Sequence, residues 1–342
     1  DYDIVYSHLP EHTGQLKNLL FNTTDICPTI IGYTHWTEFK EITNYEYEVG
    51  LAFNIIGLLQ MDKCGINTQA QKELVLKNAK EHFNDDVIKQ LDKILEPHYL
   101  GWETPEYEQQ TTDKNIIVYN HRPHTYKNYP WFLEQMDKLY EQRQDFEVWV
   151  PLADKKEKDY MTIDKYDRFG YFSKLSSCKV GVCCKQKYEG WAVSATDGMS
   201  VGVPYMFSDD GSYHELADEA GIYYKGSDDF LKLMNKALDD KEFRNEYSEK
   251  SLQRFKDSKW EKQIQRINDT FNSAISNLRP IKETESYNKI VEFIKTKKSV
   301  TKNEILLHMG WGVRIGFTTY RNRLRNEKDI KFTKNRYEVI NK

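Results

Sequence analysis

Along the first hundred residues the spacing of apolar positions switches repeatedly between the period of a strand and that of a helix. Residues 3–8 and 28–35 carry the Ile, Val, Tyr and Thr content of strands, the second suited to a buried one. Residues 63–67 form a weaker strand that runs into a helix over 68–76, where Thr68 can cap the amino end and Gln71 can close a capping box. A short strand follows at 94–97. This alternation predicts a parallel sheet with helices on both faces. Residues 101–114 carry no periodicity and read as a linker. A second alternating series follows: a strand at 115–120, an amphipathic helix at 131–143, and strands at 145–150 and 179–183. A helix over about 191–201 is stopped by Gly202, and 203–207 begins the next strand. Residues 230–238 and 242–278 are predicted helical.

The character changes after residue 283. An amphipathic helix at 287–294 precedes a capped helix at 299–309, and Gly310, Trp311 and Gly312 turn the chain. A third helix at 317–326 has apolar residues at 317, 320 and 324, and 330–333 with 336–340 make a hairpin. Three short helices followed by a hairpin is the order of a winged helix. Three domains are therefore expected, at 1–105, 106–278 and 281–342.

Composition narrows the class. Of 342 residues, 39% are hydrophobic and 30% charged, enough apolar material for sizeable cores. Mean hydropathy is -0.76, and no apolar run approaches the ~18 residues of a membrane span, so no membrane partner is expected. The first residues show no signal peptide, and the five cysteines lack C-x-x-C spacing, which points to a reducing cytoplasm. Charge is uneven: residues 281–342 hold 15 Lys and Arg against 7 Asp and Glu, a net of +8 on a chain whose total is -4. A basic tail on an acidic body suits a polyanion. Five of the chain's 12 arginines lie in that tail, and Arg favours planar phosphate and base-edge recognition.

The most specific chemistry lies at 189–204, between a strand and a helix. Gly190 lets the backbone turn tightly, and the amides of Trp191, Ala192 and Val193 then point out of a helix N-terminus, a ready anion site. Glu189 stands before the helix and Asp197 two turns into it, so one carboxylate can reach a sugar while the other reaches the ribose of the same nucleotide. Ala192, Ala195 and Gly198 are small enough to let this helix lie close on a sheet.

This stretch resembles the E-G-[FW]-…-E-A-…-G-x-P signature of the family 4 retaining glycosyltransferases, whose fold is GT-B: two Rossmann-like parallel-sheet domains. The stretch from Phe255 to Lys262 is similar to that family's closing helix signature, and Thr34-His35-Trp36 to its acceptor-side histidine motif. The resemblance spans roughly 1–278. It implies that Arg122 and Lys127, five residues apart, hold the donor diphosphate, that Gly190, Trp191, Ala192 and Asp197 complete the donor site, and that Glu189 and His35 act at the reacting sugar. It implies a nucleotide-sugar donor, UDP-linked, retention at the anomeric carbon, no settled nucleophile, and neither metal nor cofactor. Two departures stand out. Asp197 occupies the place of a Glu, and no glycine-rich loop after a first strand precedes Asp1, so the first domain is expected to be incomplete at its start.

The acceptor is read from the tail. With Phe317, Tyr320 and Leu324 inward, Thr318, Thr319, Arg321, Asn322 and Arg325 face out, a set able to read base edges and phosphates of double-stranded DNA. An unmodified base offers no good alcohol, whereas a hydroxymethylated pyrimidine does. In role, though not by sequence match, the pairing is similar to bacteriophage DNA-modifying glycosyltransferases, which act on a flipped base. Two alternatives stay open: a cytoplasmic glycosyltransferase for polysaccharide, lipid or protein whose tail docks a partner, and a DNA-binding regulator built on an inactive enzyme. Sugar identity and oligomeric state are not readable from the residues.

Overall fold

The computed structural model describes residues 4–24, 29–35, 53–186, 190–276, 285–309, 324, 329–333 and 336–340. Strands β1 (Ile4–Ser7), β2 (Thr29–Thr34), β3 (Lys63–Ile66) and β4 (Leu95–Pro97) form a parallel sheet in the order β1-β2-β3-β4. Its helices are α1 (Pro10–Thr24), α2 (53–58), α3 (Gln69–Ala79) and α4 (Asp85–Ile94). When every crossover is right-handed and steps in one direction, the connecting helices fall on one face. Ile30, Cys64, Ile66 and Leu95 accordingly pack with Ile55, Leu58, Val75 and Leu91 in one cluster. The other face is covered from far along the chain. Tyr6 stacks on Phe271 at 5.8 Å, and the His98 ring meets the Thr270 hydroxyl at 2.7 Å, both partners lying in the helix Trp260–Ser276. Helices thus cover both faces, but the second is not covered by a helix of this series.

Thr68 caps α3 by accepting from the Gln71 amide at 3.0 Å. The expected capping box does not close. The Gln71 side chain donates instead to the His35 carbonyl at 2.9 Å, because the end of β2 leaves that carbonyl within reach.

The second sheet has six parallel strands: β5 (Asn115–Val118), β6 (Phe146–Trp149), β7 (Met161–Thr162), β8 (Val180–Cys183), β9 (Tyr205–Ser208) and β10 (Gly221–Tyr224). Their order is β10-β9-β8-β5-β6-β7, so the chain steps one way from β5 and the other way from β8. The helices are α5 (Tyr129–Gln142), α6 (Arg168–Ser176), α7 (Val193–Ser200), α8 (Gly211–Ala217), α9 (Gly226–Asp239), α10 (Lys241–Asp257) and α11 (Trp260–Ser276). They divide between the faces: Phe132, Met136, Phe230 and Met234 of α5 and α9 pack on one, Phe172, Ala195, Met199 and Tyr213 of α6, α7 and α8 on the other. Gly202, at φ +82°, ends α7 in the left-handed region, where a Cβ is disfavoured. The helix expected over 242–278 is two helices, broken at Ser258. The linker has no regular structure but is not loose: Trp102 is buried, its amide donates to the Ser258 carbonyl at 2.9 Å, and Glu108 donates to Ser173.

The C-terminal unit has helices α12 (Glu285–Lys297) and α13 (Lys302–His308) beside an antiparallel sheet in the order β11-β13-β12, from Ser299–Thr301, Arg336–Val339 and Ile330–Thr333. The helix expected over 299–309 begins only at Lys302, since Ser299–Thr301 is drawn into pairing with β13. Thr301 and Glu304 close a capping box there. Of the third helix expected at 317–326, Leu324 alone is described, and it is buried with Ile290, Ile294, Val300 and Tyr337. Among the described residues no helix is long and apolar enough to cross a membrane.

Candidate functional site

Strands β5 and β8 are neighbours at which the chain direction across the sheet reverses, and the crevice beyond their carboxyl ends is where open α/β sheets take ligands. The segments bearing Arg122, Lys127 and 190–197 both leave this crevice.

After β5, Asn120 ties four elements together. Its amide donates to the Tyr171 hydroxyl at 2.8 Å and to the Ser194 carbonyl at 2.7 Å, and its carbonyl accepts from Tyr205 at 2.9 Å. The chain then turns through a 3-10 helix at Thr125–Lys127 that ends on Asn128 in the left-handed region. Arg122 is exposed, whereas Lys127 is half-buried and its Nζ donates to Gln186 Oε1. Burial lowers the Lys127 ammonium below the usual lysine value, and Arg122 adds to that. His121 is fully enclosed, its Nε2 has no hydrogen-bond partner, and burial pushes its imidazole down to about 3, so it stays neutral.

After β8, Gln186 is buried and Glu189 lies outside the described residues. Gly190 is half-buried and Ala192 buried. Helix α7 starts at Val193, two residues later than its pattern predicts, and no side chain caps it. The Val193 amide, expected to be free, donates to the Trp191 carbonyl at 3.1 Å, a bond that tightens the first turn. The Trp191 ring stacks on Tyr99 at 5.7 Å and serves packing between the two sheet units. Asp197 is half-buried, and its Oδ2 accepts from the Tyr171 hydroxyl at 3.3 Å.

Burial pushes the Asp197 carboxyl up to about 6, against the opposing effects of Tyr171 and Arg168. A folded-state value raised above 3.8 means stability that is full below pH 4 and lost as pH rises through about 6. Asp197→Asn is therefore expected to unfold later than the parent above pH 6, by on the order of 1–2 kcal/mol, with the gain fading below pH 4. Thermal melts at pH 4 and pH 8 check this; a variant less stable at pH 8 would mean that the carboxylate is paired.

In the first unit His35 is exposed at the end of β2, its ring parallel to His8 at 6.3 Å and 4.8 Å from Tyr33. Partial enclosure and the neighbouring His8 hold its imidazole below the usual histidine value. Trp36 lies outside the described residues, as do Thr318, Thr319, Arg321, Asn322 and Arg325. The two sheet units meet directly. The Glu215 carboxylate of α8 accepts from the Gln69 and Ala70 amides at the start of α3, both at 2.7 Å, and Thr68 meets Ser212 at 3.2 Å.

Beside Lys127 and Gln186 opens a cleft of about 400 Å³ lined by Asn128, Trp131, Lys185, Asp209, Asp210 and Lys225, which no sequence signal had marked. Tyr171, Gln186 and Glu215 were likewise unmarked, since each acts through a partner distant in sequence. Among the described residues no group of three His, Cys, Asp or Glu could hold a metal ion. Cys64, Cys178, Cys183 and Cys184 are free and buried.

No protein-family model and no curated protein matches the chain. Solved structures do. TarM superposes with a TM-score of 0.62 at 13% identity, over 79% of this chain and 54% of TarM. Sucrose-phosphate synthase from Thermosynechococcus elongatus gives 0.61 at 13% identity, over 81% of this chain and 74% of that one. Anabaena Alr3699/HepE, in complex with UDP and glucose, gives 0.61 at 10% identity, over 80% and 78%. This chain spans about half the length of TarM. The likeness establishes the fold, two parallel-sheet units of the GT-B type.

Proposed function

We propose that this chain is a glycosyltransferase taking its sugar from a UDP-linked donor, of the retaining family 4 kind. The observation that carries this reading is the convergence at the β5–β8 switch point of Arg122 and Lys127 from one strand and the uncapped N-terminus of α7 from the other. Two cations and a set of backbone amides suit a leaving diphosphate. The UDP bound to HepE on the same fold supports the donor class. In the transfer, the bond between the anomeric carbon and the diphosphate oxygen breaks and its electron pair leaves with UDP. The acceptor oxygen bonds to that carbon, and its proton passes to the departing diphosphate. Positive charge at Arg122 and Lys127 stabilises the departing group as its charge develops. Glu189 holds donor-sugar hydroxyls, Asp197 the ribose, and neutral His35 faces the transfer from the first unit. Release of UDP from UDP-glucose, with labelled glucose appearing on an acceptor, tests the reading; a chain that neither binds UDP nor releases it from UDP-glucose is not this enzyme.

The acceptor we propose is a hydroxymethylated pyrimidine of double-stranded DNA, the role of bacteriophage DNA-modifying enzymes, carried out in the host cytoplasm. Its support is the net charge of +8 on 281–342 together with the order α12, β11, α13 and the β12–β13 hairpin, which suits a winged helix. Binding through phosphates would make affinity fall with salt at a log–log slope of roughly -0.9 per phosphate neutralised. Arg321→Ala and Arg325→Ala are each expected to weaken DNA binding by on the order of 1–3 kcal/mol if they read guanine. Gel shifts across a salt series and labelled-glucose transfer to hydroxymethylated against plain DNA measure both; equal transfer to a small sugar acceptor alone would move the acceptor to carbohydrate.

A further inference from the structure

We infer that Gln186 is a positioning residue for Lys127, an uncharged clamp that fixes the ammonium at the crevice without cancelling its charge. The inference rests on the donor-site reading above. Lys127 ends the turn after β5, Gln186 follows β8, and these strands are adjacent at the switch point. The Lys127 Nζ donates to Gln186 Oε1 at 2.5 Å across 59 residues of sequence. Gln186 is 5% exposed, and its own Nε2 approaches Cys183 Sγ at 3.7 Å, so the amide is held at both ends with its oxygen toward the lysine.

The chemistry of the partner matters because the lysine is enclosed. A carboxylate at 186 would hold the ammonium equally well but would neutralise it, leaving a diphosphate less to bind. An amide supplies the acceptor and leaves the full positive charge. The groups facing Lys127 agree with this. Arg122 is a cation on the same turn, His121 is neutral, the Cys183 thiol is pushed up to about 11 by burial and stays protonated, and the Tyr126 ring lies 5.2 Å from Nζ. Among the described residues no carboxylate forms an ion pair with Lys127. The same enclosure that makes an acceptor necessary also lowers the proton affinity of the ammonium. Activity that needs the charged form should therefore fall off on the alkaline side earlier than for a free lysine.

Two substitutions separate holding from charge. Gln186→Glu keeps size and an oxygen acceptor but adds a negative charge. Gln186→Met keeps volume and removes the acceptor. UDP release from UDP-glucose is measured from pH 6 to 10, with kcat and KM separated, alongside UDP titration calorimetry and thermal melts. Gln186→Glu is expected to lower kcat at pH 7.5 about tenfold and to move the alkaline limb to higher pH, because the new carboxylate favours the ammonium. Gln186→Met is expected to lower kcat comparably and to move that limb to lower pH. A residue needed only for packing would move neither limb. If Gln186→Met fails to fold, Gln186→Glu decides, through the pH dependence of UDP affinity as well as turnover. Normal turnover in Lys127→Ala would defeat the donor-site reading itself. Turnover lost in Lys127→Ala but normal in both Gln186 variants, with the alkaline limb unmoved, would overturn this inference alone.

Discussion

Lys127→Ala, and separately Arg122→Ala, are expected to cut turnover by about 10²-fold or more. The hard step in transfer from a nucleotide sugar is departure of the diphosphate, and what speeds it is positive charge already in place where negative charge develops. Removing one well-placed donor from such a site costs roughly 3–4 kcal/mol, which is the stated factor. Lys127 should show the larger loss, because it is half-buried and held on Gln186, whereas Arg122 is exposed and its charge is screened by solvent. Neither change should unfold the protein, since neither side chain belongs to a core cluster. Glu189→Gln is expected to lower kcat more than UDP affinity, as befits a group that meets the sugar rather than the nucleotide. Steady-state kinetics with UDP-glucose and titration with UDP separate these effects. Near-normal rates in both cation variants would remove the donor site from this crevice.

Gly198→Val and Gly181→Val are expected to destabilise the second sheet unit by about 3–5 kcal/mol and to abolish activity with it. The ring of Tyr205, wholly buried, lies between these two glycines: a Cβ at Gly181 would sit 2.2 Å from its Cζ, and one at Gly198 2.2 Å from its Cε2. Neither contact can be relieved by a flexible side-chain end, because the ring is boxed in by α7 and by β8. Overpacking of this kind costs roughly 1–3 kcal/mol. Displacing the ring also breaks the bonds from its hydroxyl to Asn120 at 2.9 Å and Ser194 at 3.3 Å, at about 1–3 kcal/mol for buried groups left unpaired. For a unit of this size that is a fall in Tm of about 10 °C. Activity should fail too, since Asn120 begins the turn that carries Arg122 and Lys127. Tyr205→Phe keeps the ring and loses only the hydroxyl bonds, so it should cost about 1–2 kcal/mol. Differential scanning calorimetry ranks the three; a Gly198→Val protein melting with the parent would mean that α7 can move off the sheet.

Much of this frame is legible in the residues because the features concerned are local. Strands β5, β6, β8 and β9 announce themselves by β-branched and aromatic content, and Gly202 marks the end of α7 by the only backbone region that favours it. The closeness of α7 to the sheet is written in Gly198. Strand β7, of two residues, the seven-residue α8, and α1 and α6, of weak periodicity, carry too little pattern to be read, whereas β10 and the strongly amphipathic α4 escape although their patterns are present.

The site divides the same way. The sequence alone marks the 189–197 segment, where Gly190 and a helix start suit an anion, whereas Arg122 and Lys127 come forward only through the resemblance to the family 4 glycosyltransferases. It cannot give the order β10-β9-β8-β5-β6-β7, and that order is what makes β5 and β8 neighbours and brings Lys127 to Gln186. Nor can it show that α11 returns to cover the first sheet, that Glu215 receives the start of α3, or that Asp197 rests against Tyr171. A pattern of caps, periods and turns records what each segment can do with its neighbours in sequence. Which charges share a crevice, and which amide holds a lysine without neutralising it, follow from how the strands are arranged in space, where partners 59 residues apart become adjacent.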